Sequence, residues 1–450
     1  MEGFFIICMG NKICIFWFRR DLRLNDNVGL YHALNESNYV LPIFIFDNDI
    51  LKHLEDPFDR RVDFIHRAIS AMHEPLKKLG SGLTVFHSSP LDAFKKILNL
   101  HHVEAVYANH DYEPYARERD ETIQTFLKSN GIVFKTFKDQ CVFEKNEVTK
   151  DDGKPYTVFT PYSNKWKKKL TAVDYERYPT EKFFKKFLEQ APDEIPSLKS
   201  LGFEKTNIDF KSNPAIDALL IQKYKEQRNY PATAGTSRLS VYLRFGVVSI
   251  RALVKEALAH SETWLNELIW RDFYMMILWQ FPHVAKGAFK KQYDHIPWRN
   301  NEQLFLKWCK GETGFPIVDA GIRELNATGF MHNRVRMIVS SFLVKDLLIS
   351  WQWGEAYFAQ KLNDFDLSAN NGGWQWSAGS GCDAAPYFRV FNPTEQQKKF
   401  DPEFKYIKKW IPEFETKDYP EPIVNHAEAR VRTLQVYKLA LSQHQQISLL

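Results

Sequence analysis

Ile13-Cys14-Ile15-Phe16-Trp17-Phe18 is an unbroken apolar run, rich in β-branched and aromatic side chains. It is too short for a buried helix and reads as a strand covered on both faces. The pattern recurs at Val40-Leu41-Pro42-Ile43-Phe44-Ile45-Phe46, Leu83-Thr84-Val85-Phe86, Ala105-Val106-Tyr107 and Ile132-Val133-Phe134. Helical stretches lie between these runs. Across Arg61 to Leu79, Val62, Ile65, Ile69, Met72, Leu76 and Leu79 recur at helical spacing, and Gly80 stands where a C-terminal cap belongs. Alternating strands and helices from about Lys12 to Gln140 predict a parallel sheet with helices on both faces. No G-x-G-x-x-G follows the first strand, and no Walker sequence occurs. The expectation is a Rossmann-like shape without the dinucleotide fingerprint, offering a crevice at its strand ends.

At 450 residues the chain is too long for one ordinary core. We expect an α/β domain over 10–140, an inter-domain connection over 141–213 and a mostly helical domain over 214–450. The connection is poorly periodic and carries Lys165-Trp166-Lys167-Lys168-Lys169, which reads as a solvated helix face, with a DNA or partner contact as the alternative. Beyond Asn213 the strand pattern disappears. Long apolar-periodic segments follow at Leu239 to His260, Thr263 to Gln280, Ile317 to Leu325, Asn333 to Ile349 and Asn425 to Gln443. This part holds 10 of the 12 tryptophans.

No apolar run is long enough to span a bilayer. The patch Phe4-Phe5-Ile6-Ile7-Cys8 lacks a basic leader and reads as an extension ahead of an alternative start at Met9, not as a signal peptide. Cys8, Cys14, Cys141, Cys309 and Cys382 are scattered, without CxxC or Cys/His metal spacing. A reduced, cytoplasmic setting fits, and a zinc site does not. The net charge of +5 permits a polyanion partner without requiring one.

The stretch Asn363-Asp364-Phe365-Asp366-Leu367-Ser368-Ala369-Asn370-Asn371-Gly372-Gly373-Trp374-Gln375-Trp376 combines acids, amides, glycines and indoles. Glycines allow tight turns and close approach, amides donate and accept, and indoles are flat and polarisable. The mixture suits a grip on a planar, polar, redox-active ring; a turn with packed tryptophans is the alternative. In Trp264 to Tyr274, helical spacing puts Glu267, Trp270, Arg271 and Tyr274 on one face. That face reads as a pocket wall, or as a Glu-Arg pair beside packed aromatics. In Met331 to Met337, Asn333, Arg336 and Met337 share a face, and Arg336 suits a bidentate pair with an acid of the 363–376 stretch. His332 reads as structural. Gly235-Thr236-Ser237-Arg238-Leu239-Ser240 precedes an apolar-periodic helix and reads as an ordinary cap or as an anion site.

Together these motifs, with Phe391-Asn392-Pro393 and the opening Phe16-Trp17-Phe18-Arg19-Arg20-Asp21-Leu22-Arg23-Leu24, resemble the photolyase/cryptochrome family. The resemblance covers nearly the whole chain in the expected order. Within the family the chain is most similar to class I cyclobutane pyrimidine dimer (CPD) photolyases. The fold it implies is an α/β amino-terminal domain followed by an all-α FAD-binding domain. By motif match, Tyr224, Thr236, Ser237, Arg238, Leu239, Ser240, Trp264, Arg271, Arg336, Asp364, Asp366 and Asn370 would line the FAD site, with Asn370 facing the flavin N5.

The resemblance implies light-driven repair. A reduced flavin passes an electron to a pyrimidine dimer in DNA, the cyclobutane ring splits, and the electron returns. Glu267 and Asn333 would hydrogen-bond the flipped pyrimidines, with Met337 touching the dimer. Trp270 and Trp376 would pack against the bases, and Arg228, Arg334 and Gln396 would contact the strand. Trp374, Trp351 and Trp298 match the family's electron-transfer chain to the surface. The partner is DNA carrying pyrimidine dimers, and the protein is expected to be a monomer, nucleoid-associated if bacterial. Where folate-antenna relatives carry an acid and an amide after a Tyr-Glu pair, this chain has Tyr112-Glu113-Pro114-Tyr115-Ala116-Arg117, so a second antenna chromophore is left unidentified. The rival readings are a cryptochrome-type blue-light sensor and a (6-4) photoproduct photolyase. Plant-type sensors usually carry aspartate where this chain has Asn370. The (6-4) branch relies on two histidines where this chain has only His332.

Overall fold

The computed structural model describes residues 12–447. The patch around Phe4 to Cys8 and the alternative start at Met9 lie outside them. The chain divides into two compact units. The first comprises residues up to Glu144, Leu170–Ile216 and Leu239–Glu256, and the second Lys145–Lys169, Asp217–Arg238 and Ala257–Leu450. Each unit therefore draws on residues that the sequence reading assigned to a connection.

In the first unit the five apolar runs form strands β1 (Ile13–Phe18), β2 (Val40–Asp47), β3 (Thr84–Ser88), β4 (Val103–Asn109) and β5 (Val133–Phe137). All pair in parallel, in the order β3-β2-β1-β4-β5. Every residue of β1 and β2 is buried, as an apolar run with no polar alternation requires. Pro42 is tolerated inside β2 because the ladder to β3 starts only at Ile43, one residue later. The helix over Arg60–Lys78 buries Val62, Phe64, Ile69, Met72 and Leu76, while Leu79 lies beyond its end and is exposed.

The strand order reverses between β1 and β4, where an α/β sheet usually opens a crevice. Here the ends of those strands carry ion pairs. Arg20 bonds Asp111 at 3.1 Å and Glu113 at 2.9 Å, and Arg244 also reaches Glu113 at 3.1 Å. The Tyr112 hydroxyl donates to Glu144 at 2.6 Å. The run that departs from the folate pattern is thus tied into the fold. Behind it, Asp139 is buried between Arg23 at 2.7 Å and Arg251 at 2.8 Å.

The segment Leu239 to His260, expected as one helix, breaks into Ser240–Arg244 and Ile250–His260. Gly246 makes the break with φ +64°, at a point where a Cβ would sit 2.2 Å from the Arg20 carbonyl oxygen. No side chain fits there.

The second unit is helical around a core that includes Trp308, Val339, Trp351, Phe358 and Trp374. The segment expected as a helix over Asn333 to Ile349 ends sooner. An α-helix over Asn333–Ser341 passes into a π-turn, Phe342–Asp346. The Asn363–Trp376 stretch also differs from expectation. Its Asn-Gly-Gly is not a turn but the middle of a helix, Leu367–Ala378, capped by Asp366. Gly372 must be glycine because the Tyr274 ring lies against it; a Cβ would be 2.2 Å from that ring.

Among the described residues no helix is long and apolar enough to cross a membrane, and no cluster of metal-ligating side chains occurs. Among the described residues, Cys14, Cys141, Cys309 and Cys382 form no disulfide.

Asp139 gives a direct test of the first unit. Burial alone would raise its carboxyl, but Arg23 and Arg251 hold it below the usual carboxylate range. The stabilisation is therefore present above the unfolded pKa and lost as pH falls through the lower folded one. Asp139→Ala leaves two buried guanidiniums facing each other. Thermal or denaturant unfolding should show a loss of ~3–5 kcal/mol; an unchanged midpoint would show that the pair contributes nothing.

Candidate functional site

The helix Glu262–Gln280 starts at Ser261, whose hydroxyl caps the Trp264 amide. Trp264 is buried, while Glu267, Trp270, Arg271 and Tyr274 are only partly covered. Their shared face is not aliphatic core. Trp270 lies parallel to Phe159 at 3.7 Å between ring centroids and 3° between planes. Phe159 in turn donates its amide to Asp383 at 3.0 Å. Glu267 is bonded by Arg228, which caps the helix Ala218–Gln227 and stands 5.6 Å from the Tyr224 ring. Burial pushes the Glu267 carboxyl up, and Arg228 opposes the push.

The helix Asn333–Ser341 is capped by His332, whose Nδ1 accepts from the Arg334 amide at 3.1 Å. That bond fixes the neutral tautomer with its proton on Nε2. Burial and the charges of Arg334, Arg336 and Arg238 push His332 down to about 4. Asn333 is exposed and Met337 half-buried. Arg334 bonds the Asn229 side-chain oxygen at 2.7 Å and stacks over Phe400 at 4.4 Å. It meets no carboxylate among the described residues. Arg336 does what the sequence suggested, bonding Asp364 at 2.9 and 3.1 Å. One helix thus sends an uncompensated cation one way and a paired one the other.

On the helix Leu367–Ala378, Asp366 accepts from the amides of Ser368 and Ala369, a capping task the motif reading did not foresee. Asn370 is buried and donates to the Glu355 carbonyl at 3.1 Å. Glu355, which sequence reasoning missed, accepts from Asn371 at 2.9 Å and is pushed up to about 7 by burial. Trp374 is buried against Phe358 at 4.9 Å and Trp308 at 6.2 Å, and its Nε1 has no hydrogen-bond partner among the described residues. Trp351 belongs to the same core and Trp298 packs on it. Trp376 is half-buried beside Phe391, and Gln396 lies on the helix Pro393–Phe400.

Thr236, Ser237 and Arg238 end one segment of the second unit, while Leu239 and Ser240 belong to the first. Arg238 has φ +52° and stacks over Phe330 at 4.4 Å. The helix after this motif has only five residues, and its N-cap, Leu239, makes no side-chain cap bond. What remains is a set of unspent donors: among the described residues, the hydroxyls of Tyr224, Thr236 and Ser237 make no hydrogen bond. With the partnerless Trp374 Nε1 and the Arg336–Asp364 pair, this set fits a ligand that is a polar ring system bearing phosphates.

Phe159, Asn229, Glu355 and Phe400 were not found from the sequence. Each contacts a side chain that the sequence singled out, from another segment of the chain, which no local spacing reveals.

Comparison with known proteins places the chain. A family model described as DNA photolyase matches residues 14–182, and one described as the FAD binding domain of DNA photolyase matches 264–417. The deoxyribodipyrimidine photo-lyase of Synechococcus sp. is 38% identical, over 92% of this chain and 93% of that one. The deoxyribodipyrimidine photo-lyase of Escherichia coli is 37% identical, over 95% and 98%. Among solved structures, an archaeal photolyase from Sulfolobus tokodaii, described with two FAD molecules and a novel light-harvesting cofactor, superposes with TM-score 0.81 at 36% identity, covering 95% of this chain and 99% of that one. On this sequence and structural similarity, the chain belongs to the DNA photolyase family and carries that family's FAD-binding domain.

Proposed function

We propose that the protein is a deoxyribodipyrimidine photo-lyase, a lyase that uses light to split cyclobutane pyrimidine dimers in DNA. The observation that carries the reading is the helix Asn333–Ser341. Its exposed Asn333 and acid-free Arg334 suit a nucleic acid, while Arg336, one turn on, is paired to Asp364 and suits the cofactor.

When bound and reduced, FAD supplies the light absorption and the electron. The chain supplies position and charge. Arg336, Asp364, Asp366 and Asn370, with Trp264 and Arg271, would line the ring, and Tyr224 with the Thr236–Ser240 motif would hold the phosphates. Trp270, stiffened by Phe159 behind it, and Trp376 would form the apolar walls for a flipped dinucleotide. Glu267 and Asn333 would bond the pyrimidine edges, and Met337 would fill the space beside them. Arg228, Arg334 and Gln396 would hold the strand through its backbone. Trp298, Trp351 and Trp374 share one core and would carry an electron from the surface inward. The reading keeps the protein monomeric and cytoplasmic, at the nucleoid in a bacterial cell, where its substrate lies. The dispersed free thiols support that compartment. The (6-4) reading is disfavoured, because His332, the histidine present there, is already used as a neutral helix cap.

The purified protein should show a flavin absorption band, and the pigments released on denaturation identify the flavin and any antenna. Absence of flavin would overturn the reading. Trp374→Phe should block photoreduction of oxidised enzyme and leave repair by chemically reduced enzyme largely intact; equal loss of both would remove Trp374 from the electron path. Arg334→Ala should weaken binding to all DNA sequences alike and lower the salt slope by ~1. An unchanged slope would exclude a phosphate contact. His332 is neutral when folded, so stability should fall as pH drops from about 6.5, where the unfolded chain protonates, to about 4. His332→Asn keeps a capping acceptor and should flatten that acid limb in denaturation curves; an unaltered limb would place the titration elsewhere.

A further inference from the structure

Arg228, Glu267 and Arg334 form a cluster with two cations and one acid. Arg228 bonds Glu267 and faces Arg334 closely enough that its charge, after burial, weakens the hold of Arg334 on its proton. The side chains of Arg228 and Glu267 are 32% and 34% exposed, so the pair can be reached from solvent. Among the described residues, Arg228 is the charged group that opposes the effect of burial on Glu267. Tyr224, on the same helix as Arg228, is kept neutral by burial. From the helix Phe159–Lys169, Lys167 is held by Glu262 and Ser163 reaches only the Asn266 amide. The helix Leu367–Ala378 has no charged residue. His283 lies past the far end of the Glu262–Gln280 helix, beside Phe281 and Phe289.

We propose that Glu267 and Arg228 part when damaged DNA arrives: a backbone phosphate takes Arg228, and Glu267 takes a proton from solvent and donates it in a hydrogen bond to a carbonyl oxygen of the flipped pyrimidine. The inference rests on the repair reading above. A phosphate offers Arg228 a bidentate, charge-assisted partner. The same event covers Glu267 and removes the Arg228 charge that opposes its burial, which leaves the carboxylate poorly compensated. Protonation is the least costly remedy, and burial already leans that way. The chemistry needs the same outcome. An electron arriving on the pyrimidine would be repelled by an adjacent carboxylate, whereas a neutral carboxyl donates to the oxygen on which charge builds. In free protein Arg228 therefore keeps Glu267 ionised and ordered, and in the complex the proton replaces it.

The test is calorimetric titration, in the dark, of the FAD-loaded protein with a duplex carrying one thymine dimer. It is run near neutral pH in two buffers of different ionisation heat, followed by blue-light repair of the same complex. Wild type should take up about one proton per dimer bound. Glu267→Gln should bind with no uptake. Arg228→Gln, which removes the cation favouring ionised Glu267 in the free protein, should show reduced uptake and a salt slope lower by about 0.9. Zero uptake by wild type with dimer-specific binding and repair intact would overturn the exchange and leave the repair reading standing. Uptake that persists in Glu267→Gln would overturn it as well. Loss of dimer-specific binding by wild type would overturn both.

Discussion

The site depends on two close approaches that only glycine allows. Gly354, on the helix Trp351–Lys361, admits the Trp374 ring to a distance at which a Cβ would lie 2.0 Å from its Cη2. Gly372, on the helix Leu367–Ala378, admits the Tyr274 ring in the same way. These contacts fix the Leu367–Ala378 helix against its neighbours on two sides. Asp366 and Asn370 and the indoles of Trp374 and Trp376 are all carried by that helix or its cap. A methyl group at either glycine would move Asp366, Asn370, Trp374 and Trp376 together, because one helix and its cap carry all four.

Charge is handled differently in the two units. In the first, Asp139, Arg23, Arg251 and Asp26 neutralise one another in a buried network, and the strand ends are tied by Arg20, Asp111 and Glu113. Such pairs hold a fold and leave little to offer a ligand. In the second unit the balance is left incomplete. Arg334 has an amide, a ring and a thioether for company but no acid. Trp374 keeps an unused indole N–H. Groups of this kind suit a partner molecule, and here they lie among residues that the family resemblance assigns to DNA and FAD.

The sheet could be read from the sequence because a doubly covered parallel strand is an unbroken apolar run, and all five runs became strands. The helices could be read less well. Nothing in the apolar period of Leu239 to His260 announces that Gly246 must adopt positive φ against another backbone. The Asn-Gly-Gly of the Asn363–Trp376 stretch carries a turn signal, yet it lies inside a helix with the Tyr274 ring packed against Gly372. The motif residues stood out in the sequence because acids, amides and indoles rarely share a face that only packs. Their supports were hidden: Phe159 under Trp270, Asn229 on Arg334, Glu355 against Asn371. Those contacts join segments far apart in sequence, and only the folded chain brings them together.

The central claim is that bound flavin absorbs the light that drives repair of DNA held at Glu267, Asn333 and Trp270. It is tested most directly by the wavelength dependence of repair. With reduced protein and excess dimer-containing DNA, the rate at each wavelength should follow the absorption of the chromophores the protein itself carries, and should vanish in the dark. Repair in the dark, or a rate that does not track that absorption, would contradict the account.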